Sequence, residues 1–336
     1  MTDTWQLYDE FDTFSYKHIA LGDVDPVYFM IRYSDLTDRQ KKRLIFTNLM
    51  IYDLSVSFDV VQIEDKEEFY DKIEEVFKAK KVGKDRKDVA ERETNPNSRM
   101  FGTQIPKMRE HMPEEWVDLA IKETTDHLCW GKSVKGGQLV PTFGEYFGFK
   151  MADMIETVFD LDISHNYFVH WTEEFRKTIP RGTLTGYEMT RTGKKAGFRK
   201  AKEIQKDEDG LLKEFFMKKL ETFKDTASPH KPTRKICVTE IETLLCDFRK
   251  ISKGTLNYSD KVKKCQTAID KNPNNIYSAG CQVSVDILMH RREYLMQEVG
   301  IDNITKEHAD ECIFEWYQNN KDEVYKKRPD HIGEWI

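Results

Sequence analysis

The sequence lacks the patterns that mark several large classes of protein. None of its six cysteines forms a C-x-x-C pair, so we expect no disulfide framework, structural zinc site or iron–sulfur cluster. No segment approaches the run of about 18 uncharged apolar residues that a membrane-spanning helix requires. The first residues are acidic, whereas a secretory signal is basic and then apolar. We therefore expect a cytoplasmic protein with no membrane partner.

Several catalytic signatures are also missing. The tripeptide Gly131-Lys132-Ser133 lacks the upstream glycine of a P-loop, and neither H-E-x-x-H nor G-x-S-x-G occurs. A zinc-dependent deaminase would need the paired cysteines that this chain does not have. P-loop kinases, these metalloproteases and α/β-hydrolases are therefore not expected.

What is present predicts a mainly helical protein. The 336 residues are 39% apolar, 12% aromatic and 33% charged, which is typical of a globular chain of about two domains. From Leu36 to Val56, apolar residues recur with a helical period after possible N-caps at Thr37 and Asp38. Comparable patterns predict further helices, at 66–80, 113–128, 145–159, 166–178, 210–224, 236–250, 281–298 and 305–319. No long period-2 alternation and no β-α-β rhythm is found.

The helical patterns suggest three consecutive segments. Residues 1–110 are expected to form an N-terminal helical segment that completes the core, and residues 111–255 the core itself. Residues 256–336 are expected to form a C-terminal helical extension, for which amphipathic packing is the simplest interpretation.

The charge is unevenly distributed along the chain. The formal net charge is −6, yet the segment from Arg176 to Lys202 contains nine cations and one acid, Glu188. Glycines 182, 186, 193 and 197 lie in the same segment, so backbone amides as well as side chains are available to phosphates. This pattern favours a polyanion bound on one face, and the alternative is an ordinary solvated surface of mixed charge.

A possible hairpin lies between Gly137 and Val169. The Pro141–Gly144 turn precedes a helix that begins at Glu145, and the acidic pair Asp160 and Asp162 follows about twenty residues after Gly144. Glycine lets a turn approach a phosphate closely, and the amides at a helix start can bind it. An ordinary packing joint, with Asp162 as a capping acid, is the alternative interpretation.

A second cluster of charged residues lies between Thr239 and Lys250. At helical spacing Glu240, Asp247 and Lys250 approach one side of the helix, while Glu242, Cys246 and Arg249 lie on a neighbouring strip. Carboxylates beside a cation can deprotonate an amine or bind a metal ion. An exposed, salt-bridged helix face would have the same spacing.

Three segments together resemble one known family. Asp25-Pro-Val-Tyr-Phe-Met-Ile-Arg32, followed by Gln40, Arg43, Leu44 and Tyr52-Asp53, resembles the start of the α-glutamyl/putrescinyl thymidine pyrophosphorylase family. The Pro141–Gly144 hairpin and its helix are similar to that family's core. The segment from Glu240 to Lys250, with Leu245-Cys246-Asp247-Phe248, is similar to its late acidic motif. The resemblance covers about residues 25–255.

The resemblance implies a helix-hairpin-helix fold like that of DNA glycosylases, and a transferase of bacteriophage thymidine hypermodification. In such an enzyme the amine of an amino acid or polyamine displaces pyrophosphate from 5-pyrophosphoryloxymethyl-deoxyuridine in DNA. The base would leave the stack, and a DNA kinase of the same modification system is a further expected partner. The departing pyrophosphate would need cations or Mg²⁺, and the resemblance leaves the requirement for Mg²⁺ open.

Site residues follow from the resemblance together with the charge pattern. Asp162, Glu240 and Asp247 are candidate bases or metal ligands, and Arg181 and Lys250 are candidate cations for the departing pyrophosphate. Candidate contacts to DNA lie in the hairpin, its helix or the basic segment: Phe143, Gly144, Tyr146, Lys150, Gly182, Thr183, Arg191, Lys194 and Lys195.

Two other functions remain open on the sequence. A DNA glycosylase or lyase could use the same hairpin, with Asp162 activating water. A helical DNA-binding subunit of a hydroxymethyluracil DNA kinase system would bind DNA without any chemistry of its own.

Overall fold

The computed structural model describes residues 5–21, 25–51, 54–82, 109–110, 118, 145–224, 226–228, 231–251, 258–271, 273–274 and 276–310. These residues are mainly helical, as the sequence analysis predicts. None of the helices in this part of the chain has the length and apolar character that crossing a membrane requires.

The elements are numbered in chain order within the described residues. The α-helices are α1 (Tyr8–Leu21), α2 (Pro26–Arg32), α3 (Asp38–Ile51), α4 (Leu54–Val61), α5 (Lys66–Val82), α6 (Glu145–Phe159), α7 (Ser164–His170), α8 (Glu173–Thr178), α9 (Arg181–Thr192), α10 (Phe198–Lys206), α11 (Leu211–Thr222), α12 (Val238–Ile251), α13 (Tyr258–Lys271), α14 (Ile276–Tyr294) and α15 (Lys306–Asp310). A π-helical turn at Leu295–Val299 and a 3₁₀ turn at Ile301–Asn303 follow α14. Strands β1 (Ala227–Ser228) and β2 (Lys231–Lys235) form a short antiparallel pair.

Several predicted helices are confirmed, and others differ in a way that has a physical reason. Helices α5, α6, α11 and α12 match the predicted segments within about two residues. The segment predicted as one helix over 166–178 is two helices, because Trp171 between them has a φ of 47°. The segment from Leu36 to Val56 is divided between α3 and α4. The predicted helix at 113–128 and residues 311–319 of the last predicted helix lie outside the described residues.

Helices α9 and α10 were not predicted from the sequence. Their glycines, together with Pro180, are typical of loops. In the structure Pro180 is the N-cap of α9, where its missing N–H costs nothing, and Gly193 ends α9 in the left-handed region at φ 69°. Proline and glycine therefore mark the ends of a helix in this segment.

The chain divides into two compact units that are discontinuous in sequence. Unit 1 comprises the described residues of Met1–Asp25, Asp160–Lys264 and Ser284–Glu323, and unit 2 comprises those of Pro26–Phe159 and Cys265–Val283. Helices α13 and α14 contain residues of both units. The three consecutive segments suggested by the sequence remain a prediction.

Unit 1 is built around α12. This helix packs along α9 and also contacts α1, α7 and α11. Aromatic rings fill the space between these helices: Phe11 meets Phe248 edge-on at 5.4 Å, and Trp5 stacks on Phe215 at 5.0 Å between ring centroids. The chain before α1 is fixed by two backbone bonds, because the Gln6 and Leu7 amides donate to carbonyls at the end of α9. The C-terminal end of α9 is thus tied to the chain before α1.

Unit 2 packs α6 against α2 and α3, with α4 and α5 continuing from α3. Its core contains the apolar faces of α3 and α6, among them Phe46, Met151 and Ile155, which are fully buried. A polar bond also joins α2 to α6, since the Tyr28 hydroxyl donates to the Asp153 carboxylate at 2.7 Å. The Tyr28–Asp153 bond therefore links α2 and α6 inside unit 2.

Candidate functional site

Helices α9 and α12 pack so closely that glycine is required where they touch. A Cβ atom added to Gly186 would overlap the backbone carbonyl of Leu245, and one added to Gly182 would lie 2.8 Å from Sγ of Cys246. Because the Leu245 contact is backbone, it cannot yield without separating the two helices. The structure thus gives Gly182 and Gly186 a packing role that the sequence analysis did not foresee.

The same contact buries a carboxylate of α12. The Thr183 hydroxyl, which is fully buried, donates to Oε1 of Glu242 at 2.5 Å. The Thr243 hydroxyl donates to the other oxygen of Glu242 at 3.3 Å. Hydrogen bonds of this kind offset the cost of removing a carboxylate from water. Thr183, a predicted phosphate contact, therefore has its hydroxyl committed to Glu242 in this structure.

Asp247 forms a cluster with Lys250 and His18 in unit 1. Lys250 Nζ donates to Asp247 Oδ1 at 2.6 Å, and His18 Nε2 lies 3.4 Å from Oδ2. The Asp247 side chain is only 7% exposed, and the His18 ring lies against Phe14 at 5.3 Å. Sequence reasoning missed His18, because α1 and α12 are far apart along the chain and no local spacing connects them.

The electrostatic environment keeps Lys250 charged. Burial is the largest single influence and lowers the pKa of Lys250, but the charge and hydrogen bond of Asp247, together with Cys246, outweigh it, so the pKa is raised. Burial also raises the pKa of the neighbouring Cys246 thiol, and the Glu242 carboxylate adds to the rise. This part of α12 therefore presents an ammonium, a carboxylate and a protonated thiol rather than a thiolate nucleophile.

Glu240 lies at the other end of α12 and caps the helix. Its Oε2 atom accepts a bond from the Cys237 amide at 3.0 Å, the geometry of a capping box. Seven residues separate Glu240 from Asp247, which is roughly 10 Å along a helix axis at about 1.5 Å per residue. The two carboxylates therefore cannot act together on one reacting atom, although the sequence pattern grouped them.

Asp162 also makes a capping bond. Its Oδ1 atom accepts from the His165 amide at 3.2 Å at the start of α7, and its side chain is exposed. Helix α7 contacts α12. The five predicted catalytic residues thus lie on three helices of unit 1 that pack together, or directly before one of them: Asp162 before α7, Arg181 on α9, and Glu240, Asp247 and Lys250 on α12.

Arg181 begins α9 beside an exposed aromatic ring. Its guanidinium carbon lies 5.1 Å from the centroid of Phe198, and Lys202 Nζ lies 4.8 Å from the same centroid. Lys194 and Lys195, in the loop between α9 and α10, are exposed. Arg191, by contrast, pairs with Glu188 at 3.0 Å and is partly buried. Of the predicted DNA contacts in unit 1, Lys194 and Lys195 are the ones that face solvent.

A small cavity lies between α9, α10 and the loop before α11. Its volume is about 250 Å³, and charged side chains of both signs line it, among them Arg191, Lys200, Glu203 and Asp209. The size suits a small polar molecule. Within the described residues, no three His, Cys, Asp or Glu side chains are grouped as a metal site would require.

The remaining predicted contacts belong to unit 2. Lys150 donates to Asp153 at 2.7 Å, and its ammonium lies 5.5 Å from the centre of the Tyr28 ring. Tyr146 is in α6, but its side chain lies outside the described residues, as do Phe143 and Gly144. The predicted hairpin role of these residues therefore stays a prediction.

Comparison with known proteins does not assign the chain to a family. No protein-family model matches the sequence, and no curated protein is significantly similar to it.

Proposed function

We propose that this chain is a DNA-modifying transferase with a helix-hairpin-helix, glycosylase-like core. It replaces the pyrophosphate of 5-pyrophosphoryloxymethyl-deoxyuridine in DNA with the amine of an amino acid or polyamine. The observation that carries the proposal is the arrangement in unit 1. An exposed cationic surface at Arg181, Lys194, Lys195 and Lys202 lies on α9, α10 and the loop between them, and α9 packs against α12. Helix α12 carries Asp247 and Lys250, and Asp247 meets His18 of α1.

The cationic surface supports the binding of DNA. From Met189 to Lys202 the chain contains no acid, and its lysines are exposed. Cations of this kind neutralise phosphates and release counterions from the nucleic acid. The negative net charge of the whole chain disfavours other polyanion contacts, so binding is directed to this face.

The Asp247 cluster supports the chemistry. The amine nitrogen forms a bond to the 5-methylene carbon, the carbon–oxygen bond to pyrophosphate breaks, and the nitrogen loses a proton. Lys250, whose pKa is raised, and Arg181 offer positive charge for the departing pyrophosphate. His18 and Asp247 form a histidine–carboxylate pair, and enzymes use such pairs as general bases.

Mass analysis of nucleosides tests the proposal. The protein is incubated with DNA that contains the pyrophosphorylated base and with a mixture of amines, and the digest should contain an aminated nucleoside and an equal amount of released pyrophosphate. Asp247→Asn should reduce product formation by about 100-fold or more, the usual contribution of a general base. Asp302→Asn, which changes an exposed acid, is the matched control.

A second function is favoured by a specific observation. Asp162 and Glu240 make helix caps, and Asp247 makes a buried ion pair, so each predicted carboxylate has a structural role. A DNA-binding subunit without chemistry would have these features. It predicts no product in the nucleoside assay together with salt-dependent DNA binding. Release of a base with an abasic site would instead identify a glycosylase or lyase.

A further inference from the structure

Phe198 is an exposed aromatic ring in a cationic setting. Its side chain is 58% exposed, and the other large apolar residues exposed in the described part of the chain, Val169 and Met217, are not aromatic. An exposed phenylalanine costs solvation free energy, because its ring is left in water. Nothing in the packing of α10 requires the ring to point outward, since Ala201 and Ile204 form the buried face of this helix.

Positively charged side chains surround the Phe198 ring. Arg181 and Lys202 both lie over it at cation–π distance. Lys194, Lys195 and Arg199 are exposed nearby in the chain. A flat ring surrounded by cations that contact phosphates is the combination that proteins use to bind single-stranded nucleic acid.

We propose that Phe198 stacks on an unpaired base of the DNA strand, while Lys194, Lys195 and Arg199 neutralise its phosphates. The inference rests on the proposed function only for the choice of DNA as the polyanion. In this arrangement the basic segment holds bases that are out of the duplex stack. A flipped base next to the modification site, or the single strand beside it, would offer an unstacked base surface to the ring.

A membrane surface is the main competing partner for a basic amphipathic helix. An interfacial helix inserts a row of apolar side chains into the lipid boundary. Helix α10 has nine residues, and Phe198 is the one large apolar side chain that it exposes. A single phenyl ring gives little anchoring, whereas a single ring is enough to stack one base. The charge and the exposed ring therefore favour a nucleic-acid strand.

The test measures binding of the full-length protein to unmodified DNA by fluorescence anisotropy. The probes are a labelled oligothymidine strand and a labelled duplex. Phe198→Ala should weaken binding of the single strand by roughly 5- to 150-fold, the range of one base–aromatic stack. Phe198→Trp should retain affinity, and Phe198→Leu should behave like alanine, because leucine is apolar but cannot stack. Met217→Ala, at an equally exposed apolar position, is the control.

Salt dependence separates stacking from charge. Phe198→Ala should leave the slope of log affinity against log salt unchanged, because no phosphate contact is lost. The double change Lys194→Gln and Lys195→Gln should reduce the slope by about 1.4, at about 0.7 for each single-strand phosphate contact. Thermal unfolding of each variant checks that the exposed substitutions leave the fold intact.

The inference would be overturned if Phe198→Ala or Phe198→Leu bound the single strand with wild-type affinity. It would also be overturned if the Phe198 substitutions weakened binding only to vesicles of phosphatidylserine and phosphatidylcholine. These readouts use unmodified DNA and need no product. Loss of stacking with intact product formation would therefore refute this inference alone, and stacking without any aminated nucleoside would refute only the proposed transferase.

Discussion

Unit 1 contains charged side chains in two contrasting settings. In the interior, Lys219 of α11 is fully buried, pairs with Asp12 of α1, and places its Nζ 3.1 Å from the centre of the Tyr8 ring. On the surface, Lys194 and Lys195 are exposed and precede α10. Interior charges hold helices together at the cost of desolvation, while surface charges cost little and remain available to a ligand. Substitutions should therefore separate into those that change folding and those that change binding.

The largest effect is expected at Lys219. Lys219→Ala leaves the Asp12 carboxylate without its buried cation and opens space between Tyr8, Phe11 and Phe215, so the free energy of unfolding should fall by about 3–5 kcal/mol. Lys218→Ala, one residue away and exposed, should change it by less than about 0.5 kcal/mol. Urea unfolding measures both variants. Equal effects at the two positions would show that Lys219 contributes no more than a surface lysine.

The pH dependence of stability sharpens the same comparison. Burial lowers the pKa of Lys219 to about 8, although Asp12 acts in the opposite direction. The unfolded chain keeps this lysine protonated up to its ordinary pKa of 10.5, so it binds more protons than the folded protein between about pH 8 and 10.5. The free energy of unfolding should therefore rise with pH from 8 to 10 in the wild type relative to Lys219→Met. The range ends at pH 10 because Tyr8, whose pKa burial raises to about 12, contributes with the opposite sign above it.

A smaller effect is expected from the glycines of the basic segment. Gly186→Ala would force a Cβ against the Leu245 carbonyl and separate α9 from α12, so it should reduce the free energy of unfolding by about 1–3 kcal/mol. Gly197→Ala should change it by less than about 0.5 kcal/mol, because a Cβ there has no atom within 4 Å and the φ is −70°. Thermal unfolding compares the two. Tolerance of alanine at both positions would mean that α9 and α12 are not in backbone contact.

These glycines also show what the sequence could and could not predict. The helical period predicted α5, α6, α11 and α12, since each is an uninterrupted amphipathic run. The period gave no signal for α9, because Gly182 and Gly186 occupy positions where an apolar side chain would normally mark the buried face. A glycine required by a close helix contact and a glycine required by a phosphate loop look the same in one sequence.

The sequence could predict those contacts of the candidate site that join residues a few positions apart on one helix. Asp247 and Lys250 are three residues apart on α12, and their ion pair follows from helical geometry. On the neighbouring strip, Cys246 Sγ lies 4.0 Å from Arg249, and Glu242 accepts a hydrogen bond from Thr183 of α9. His18 and Phe198 depend on tertiary packing and on exposure, which no spacing along the chain encodes.

The smallest effect on stability is expected at Glu240, and it has the clearest consequence for the site. Glu240→Ala removes the capping box of α12 and should cost about 1 kcal/mol, whereas Glu240→Gln can still accept the Cys237 amide and should cost less than about 0.5 kcal/mol. Glutamine cannot act as a base. Because Glu240 lies roughly 10 Å along the helix from Asp247, at about 1.5 Å per residue, we expect Glu240→Gln to form the aminated nucleoside at the wild-type rate. If Glu240→Gln were stable but inactive, the catalytic carboxylate would lie at the N-terminus of α12, and the Asp247 cluster would be a structural ion pair of the interior.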